Sequence, residues 1–168
     1  MTRFALAATA ALLLPVAATA QDATATLMAQ DGTEHGTVNF TQGPNGVLVE
    51  ARATGLPEGP HGFHIHETGA CEGDFTSAGD HFAPGGNGHG FLSDGGYHAG
   101  DLPILHAAAD GTATADFFVP QLSLGDGGEA DMMDEDGSAV MFHAEGDSYM
   151  EEAGSGDRLA CGVIEAAE

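Results

Sequence analysis

Thr112-Ala113-Thr114-Ala115-Asp116-Phe117-Phe118-Val119 alternates polar and apolar side chains from Thr112 to Phe117. A period of two gives one wet and one dry face, which is the signature of a half-buried strand. Similar apolar or β-branched runs occur at 24–29, 36–41, 47–54, 62–66, 102–107, 139–144 and 158–164. Between them stand turn formers: Asp31-Gly32, Gly43-Pro44-Asn45-Gly46, Asp110-Gly111 and Asp136-Gly137. No stretch carries a convincing helical repeat. Glycine makes up 26 of 168 residues, about twice the usual share of roughly 7%. The expectation is an all-β sandwich or barrel. Residues 70–100 stand apart as a long Gly-rich segment dotted with histidine and without strand rhythm. A loop of that length in a compact domain is usually functional or disordered.

Charge excludes several partners. The chain has 26 acids against three Lys plus Arg, for a formal charge of −23. Arg3, Arg52 and Arg158 are its only cations besides histidine, so it lacks the basic row that nucleic acid or an anionic membrane surface requires. With 42% hydrophobic residues it also lacks the composition of a disordered acidic chain.

The first twenty residues have the layout of a secretory signal peptide. Arg3 supplies a positive start, an apolar run follows from Phe4 to Val16, and Ala18-Thr19-Ala20 offers small residues for cleavage. The expectation is a leader over 1–20 and one mature domain over 21–168, periplasmic or secreted. Nothing later approaches eighteen consecutive apolar residues, so no membrane span is expected. The two cysteines, Cys71 and Cys161, read as one disulfide in an oxidising compartment. Glu129 to Asp136 holds five acids in eight residues without calcium-loop spacing, and reads as a solvated acidic turn.

The nine histidines carry the chemistry. His64 and His66, two apart on a strand, present imidazoles to one face while Phe63 and Ile65 turn to the core. His81, His89, His98 and Asp101 make a four-coordinate zinc set of three imidazoles and one carboxylate. A metal would also order this Gly-rich loop. His143 ends the strand Val140-Met141-Phe142-His143. His35, His61 and His106 match no ligand pattern, and strand parity places His61 opposite His64.

Taken together, the segments resemble the copper–zinc superoxide dismutase family, exported bacterial type. The motifs are Gly-Phe-His-Ile-His-Glu at 62–67, Ala-Gly-Asp-His-Phe at 78–82, and His89 and His98 followed by Ala99-Gly100-Asp101-Leu102-Pro103. Met141-Phe142-His143-Ala144 and Arg158-Leu159-Ala160-Cys161-Gly162-Val163-Ile164 complete them. The resemblance implies an eight-stranded antiparallel Greek-key β-sandwich or barrel with long metal-binding and electrostatic loops. It implies copper on His64, His66, His81 and His143, zinc on His81, His89, His98 and Asp101, and His81 bridging the two. Arg158 matches the family's active-site arginine, and His81 and Arg158 are then the catalytic residues. Asp147 matches the carboxylate that links a copper histidine to a zinc histidine. Cys71 and Cys161 match the family disulfide.

The implied reaction turns superoxide into dioxygen and hydrogen peroxide by copper redox cycling. The resemblance leaves open whether the chain is a monomer or a homodimer. Segment 143–158 is short and contains no lysine, so the family's steering lysines have no counterpart. The acids are expected to lie mostly away from the active face. Two other classes are compatible with the composition: a metal store without enzyme activity, and an acidic surface domain.

Overall fold

A computed structural model describes residues 22–125 and 127–167. Among these, the strands are β1 (Asp22–Met28), β2 (Glu34–Gly43), β3 (Gly46–Ala53), β4 (Gly59–His61), β5 (Phe63–His66), β6 (Leu105–Ala107), β7 (Ala113–Val119), β8 (Ala139–His143), β9 (Arg158–Val163) and β10 (Glu165–Ala166). The only described helix is one short 3-10 turn at Thr76–Ala78. An eight-stranded antiparallel sheet runs in the order β5-β8-β9-β1-β2-β3-β7, with β10 added beside β1. A two-stranded ribbon, β4-β6, lies between its ends: β4 leads directly into β5, and β6 packs on β7. The sheet thereby curls around one main core, as expected for the sandwich or barrel, with a smaller cluster of Phe75, Ala78, Ala139, Met141 and Cys161 beside the disulfide. The expected leader over 1–20 lies outside the described residues.

The alternation that opened the reading is realised in β7. Ala113 and Val119 are buried, Ala115 and Phe117 are half-buried, and Thr114, Asp116 and Phe118 are exposed. Strands β1, β2 and β3 feed the same core with Leu27, Val38, Phe40 and Val49. Phe63 on β5 and Phe142 on β8 pair in register, with ring centroids 4.8 Å apart. Truncating a buried ring of this kind to alanine costs about 3–5 kcal/mol.

Two strands break the half-buried pattern: every residue of β5 and of β8 is buried. One face of β5 packs Phe63 and Ile65 into the core. The other face, with His64 and His66, is covered by the long segment that follows. That segment docks on β5 through isolated bridges pairing His66 with His81 and His64 with Asp101. Its backbone bonds run from Ile65 N to Gly100 O at 2.9 Å and from Phe82 N to Ile65 O at 2.8 Å. Gly100 permits the approach, since a Cβ there would lie 2.3 Å from the Ile65 carbonyl oxygen.

A disulfide joins Cys71 to Cys161, ninety residues apart. The acidic turn is more than a solvated run. Asp131 is 4% exposed, and its carboxylate accepts from the backbone N–H groups of Gly125, Gly127 and Met133 at 2.6, 2.8 and 2.9 Å. A residue read only for its charge is the hub of that loop, because a buried carboxylate needs several donors to offset desolvation.

Candidate metal centre

The sheet supplies three of the candidate ligands and the long segment supplies four. His64 and His66 come from β5, and His143 comes from the end of β8, beside β5 in the sheet. They are buried, with 0%, 1% and 6% of their surface exposed. His81 is carried onto them by its bridge to His66. One nitrogen from each of His64, His66, His81 and His143 lies within 4.8 Å of the others. A second group of the same tightness contains His81, His98 and Asp101, so His81 belongs to both.

His64 Nδ1, His66 Nε2 and His143 Nε2 are buried and have no protein partner. An unpaired buried polar atom is costly, and three converging imidazole nitrogens form a donor set for a transition metal. The opposite ring atoms are held: His64 Nε2 lies 2.6 Å from Asp147 Oδ2, and His66 Nδ1 lies 3.0 Å from Gly79 O. Anchoring one nitrogen and freeing the other is the arrangement of metal-ligating histidines. In the second group, His81 Nδ1 lies 2.8 Å from Asp101 Oδ1, and His98 Nδ1 lies 3.3 Å from the same oxygen. The other Asp101 oxygen accepts from the backbone N–H groups of Gly90 and His98 at 2.9 and 3.0 Å.

Burial sets the protonation. Desolvation drives His64 down to about 4, His143 to about 3 and His66 to about 2, against an ordinary value near 6.5. All three are therefore neutral at pH 7, the form that ligates. Burial pushes Asp101 upward, but the His81 contact, the Gly90 N–H and the neighbouring imidazoles outweigh it and hold the carboxylate at about 2.

His89 sits between the two expected roles. Its Nε2 is 3.1 Å from Asp147 Oδ2 and 3.6 Å from Asp101 Oδ1, while Nδ1 lies 2.6 Å from Met150 O. It forms a tight group with His64 and Asp147 and stands slightly apart from His81, His98 and Asp101. Asp147 spans His64 and His89 through one oxygen and takes the Tyr149 N–H on the other at 2.6 Å.

Arg158 begins β9 and reaches across to the segment tethered by Cys71. Its Nη1 donates to Phe75 O, and its Nη2 donates to Gly79 O at 2.7 Å. The Gly79 carbonyl thus serves both Arg158 and His66.

Two residues escaped the sequence reading. His61 is 1% exposed, with Nδ1 2.7 Å from His143 O and Nε2 2.8 Å from Pro57 O. Only the fold brings the end of β8 to its ring. Tyr149 stands at φ 61° and accepts the Ile104 N–H on its phenol oxygen at 2.8 Å. It ties the 143–158 loop to the chain just after Asp101, and no local pattern marks it.

Comparisons with known proteins agree with this geometry. The family model described as copper/zinc superoxide dismutase matches residues 34–164. A Cu-Zn superoxide dismutase of Caulobacter vibrioides is 44% identical over 147 residues, covering 84% of each chain. One of Legionella pneumophila is 42% identical over 132 residues, covering 77% of this chain and 76% of that one. Among solved structures, a SOD-like protein from Bacillus subtilis superposes with a TM-score of 0.80 at 36% identity, covering 84% of this chain and 97% of that one. The Cu/Zn superoxide dismutase from Brucella abortus gives 0.68 at 33% identity, covering 86% and 99%. A curled antiparallel sheet, two linked His-rich groups and a family match across most of the described residues lead to one conclusion: the chain belongs to the copper/zinc superoxide dismutase family.

Proposed function

We propose that the protein disproportionates superoxide, holding copper on His64, His66, His81 and His143 and zinc on His81, His89, His98 and Asp101. Two superoxide ions and two protons give one dioxygen and one hydrogen peroxide. The observation that carries this reading is the convergence of three buried, partnerless imidazole nitrogens beside a second group that shares His81. When bound, copper supplies the one-electron couple, and zinc, which has no redox step, supplies fixed positive charge.

The chain's own groups have distinct tasks. With Asp101 on His81 Nδ1, Nε2 is the ring atom left to carry and release a proton. Asp147 fixes the rings of His64 and His89 from outside. Arg158 supplies a positive charge beside His66 for an incoming anion. The disulfide, together with Arg3, the apolar run and Ala18-Thr19-Ala20, supports export to the periplasm or beyond after removal of 1–20.

The test is metal content of the purified mature protein together with a cyanide-sensitive superoxide assay. A copper-loaded protein that failed to disproportionate superoxide would be a metal store. An acidic surface domain would tolerate loss of His64, His81 and His143 without consequence.

A further inference from the structure

Two surface depressions, one at Arg158 and one at His81, His89 and His98, are both ringed by acids. One is lined by Arg158 together with Asp31, Asp74 and Asp157. The other is lined by His81, His89 and His98 together with Glu67, Asp80 and Glu151. All six carboxylates belong to exposed residues. They arrive from four parts of the chain: the β1–β2 turn, the end of β5, the segment after Cys71, and the loop before β9. Against them stand Arg158, the one cationic side chain lining either depression, and in the loaded protein the two divalent metals less the charge of the bridging imidazolate. Arg52 is engaged on the outer face of the sheet, 2.7 Å from Asp116 and 3.5 Å from Glu50. Arg3 lies outside the described residues, and lysine is absent. The expectation that the acids lie mostly away from the active face has its exceptions here, where six of the 26 acids line the two depressions.

We infer that the rim of this site repels its anionic substrate, so that capture of superoxide is limited by the field of these acids and speeds up with ionic strength. The inference rests on the proposed disproportionation at this site. Where an opening carries charge opposite to the ligand, association is fast and falls steeply as salt is added. Here the signs agree, and the dependence inverts. The Debye length shrinks from about 30 Å at 0.01 M to about 10 Å at 0.1 M ionic strength. Carboxylates around the openings act on the approaching ion through most of that range. Arg158, bonded to the Phe75 and Gly79 carbonyls beside His66, keeps its short-range attraction. Salt therefore removes the repulsion before it removes the attraction.

The experiment uses the copper- and zinc-loaded mature protein. Its kcat/KM is followed by pulse radiolysis while a non-coordinating salt is raised from about 0.01 M to about 0.1 M. The expected result is a rise of about threefold. The combined variant Asp31→Asn, Asp74→Asn and Asp157→Asn should match that gain at low salt and flatten the dependence. Asparagine keeps the Oδ1 acceptor that Asp31 and Asp74 offer to the N–H groups of Thr33 and Thr76. Azide affinity of the same loaded protein, read from the copper spectrum, gives a second measure and should tighten with salt and in the variant. A rate that falls or stays flat with salt, with a variant no faster than the parent, overturns the inference while leaving the enzymatic reading intact. A protein without superoxide activity defeats the enzymatic reading. The azide titration then decides the inference alone, and affinity that weakens or stays flat with salt overturns it.

Discussion

The ring of His61 lies 2.7 Å from the carbonyl oxygen of His143, so a buried histidine outside the ligand groups grips the backbone of one inside them. The second ring nitrogen faces Pro57 O at 2.8 Å. A neutral imidazole has one N–H to donate, and an imidazolium serves both carbonyls. His61→Ala removes both contacts in the interior and should cost roughly 2–4 kcal/mol. It should also loosen copper more than zinc. His61→Gln, which keeps one donor, should lose less. Thermal unfolding and competitive metal titration would check this, and equal loss of both metals would count against a link through His143.

Asp147→Asn keeps the shape and removes the charge that spans His64 and His89. Loss of such an outer partner typically weakens metal binding by about 10–100-fold. Both metals should be affected here, because the residue touches one histidine of each proposed set. Unchanged affinity for both would show that the carboxylate orients neither ring.

Arg158→Ala should lower kcat/KM by about tenfold or more while copper and zinc stay bound, since charge-assisted bonds contribute about 1.5–3 kcal/mol each. Arg158→Lys should recover only part of the rate, because an ammonium cannot reproduce the fork that reaches Phe75 and Gly79 together. Loss of copper from the alanine variant would make Arg158 a structural residue.

Removing the disulfide as Cys71→Ser with Cys161→Ser frees a loop of ninety residues. The chain-entropy model puts the loss at about 4–5 kcal/mol. Activity at a temperature where the variant is folded should fall as well, because the freed segment carries the Phe75 and Gly79 carbonyls. A variant that keeps full kcat/KM would show that the tether serves stability alone.

Acid should unfold the metal-free protein early. His64, His66 and His143 are held below the unfolded value near 6.5, so the unfolded chain binds protons that the folded chain refuses. Their stabilisation is complete above about pH 6.5. It declines at up to about 1.4 kcal/mol per pH unit for each neutral ring as pH falls toward about 4 for His64, and lower for the other two. Asp101, held at about 2, adds a loss of the same sign below its ordinary value of 3.8. Urea midpoints of the metal-free protein from pH 7 to pH 4 would measure the slope, and a flat profile would contradict it.

Much of this was legible in local pattern. The alternation at 112–119 became β7, and the His-x-His spacing placed Phe63 and Ile65 in the core with both imidazoles on the opposite face. What stayed hidden depends on contacts between distant segments. β4 is three residues long and has no period to detect. Asp131 looked like its exposed neighbours because sequence shows charge and not burial. His61 and Tyr149 act on a carbonyl and an N–H that lie 82 and 45 residues away.

Gly79 accepts on one oxygen for two tasks. Its carbonyl receives His66 Nδ1 at 3.0 Å and Arg158 Nη2 at 2.7 Å. Its backbone sits at φ 74°, and a Cβ there would lie 2.7 Å from a Glu67 oxygen. The group proposed to hold the redox ion and the group proposed to meet the anion are therefore spaced from a common origin, as two marks on one ruler. Drift of the 71–81 segment carries both marks together, and their separation survives motion that would misalign a site built from independent supports.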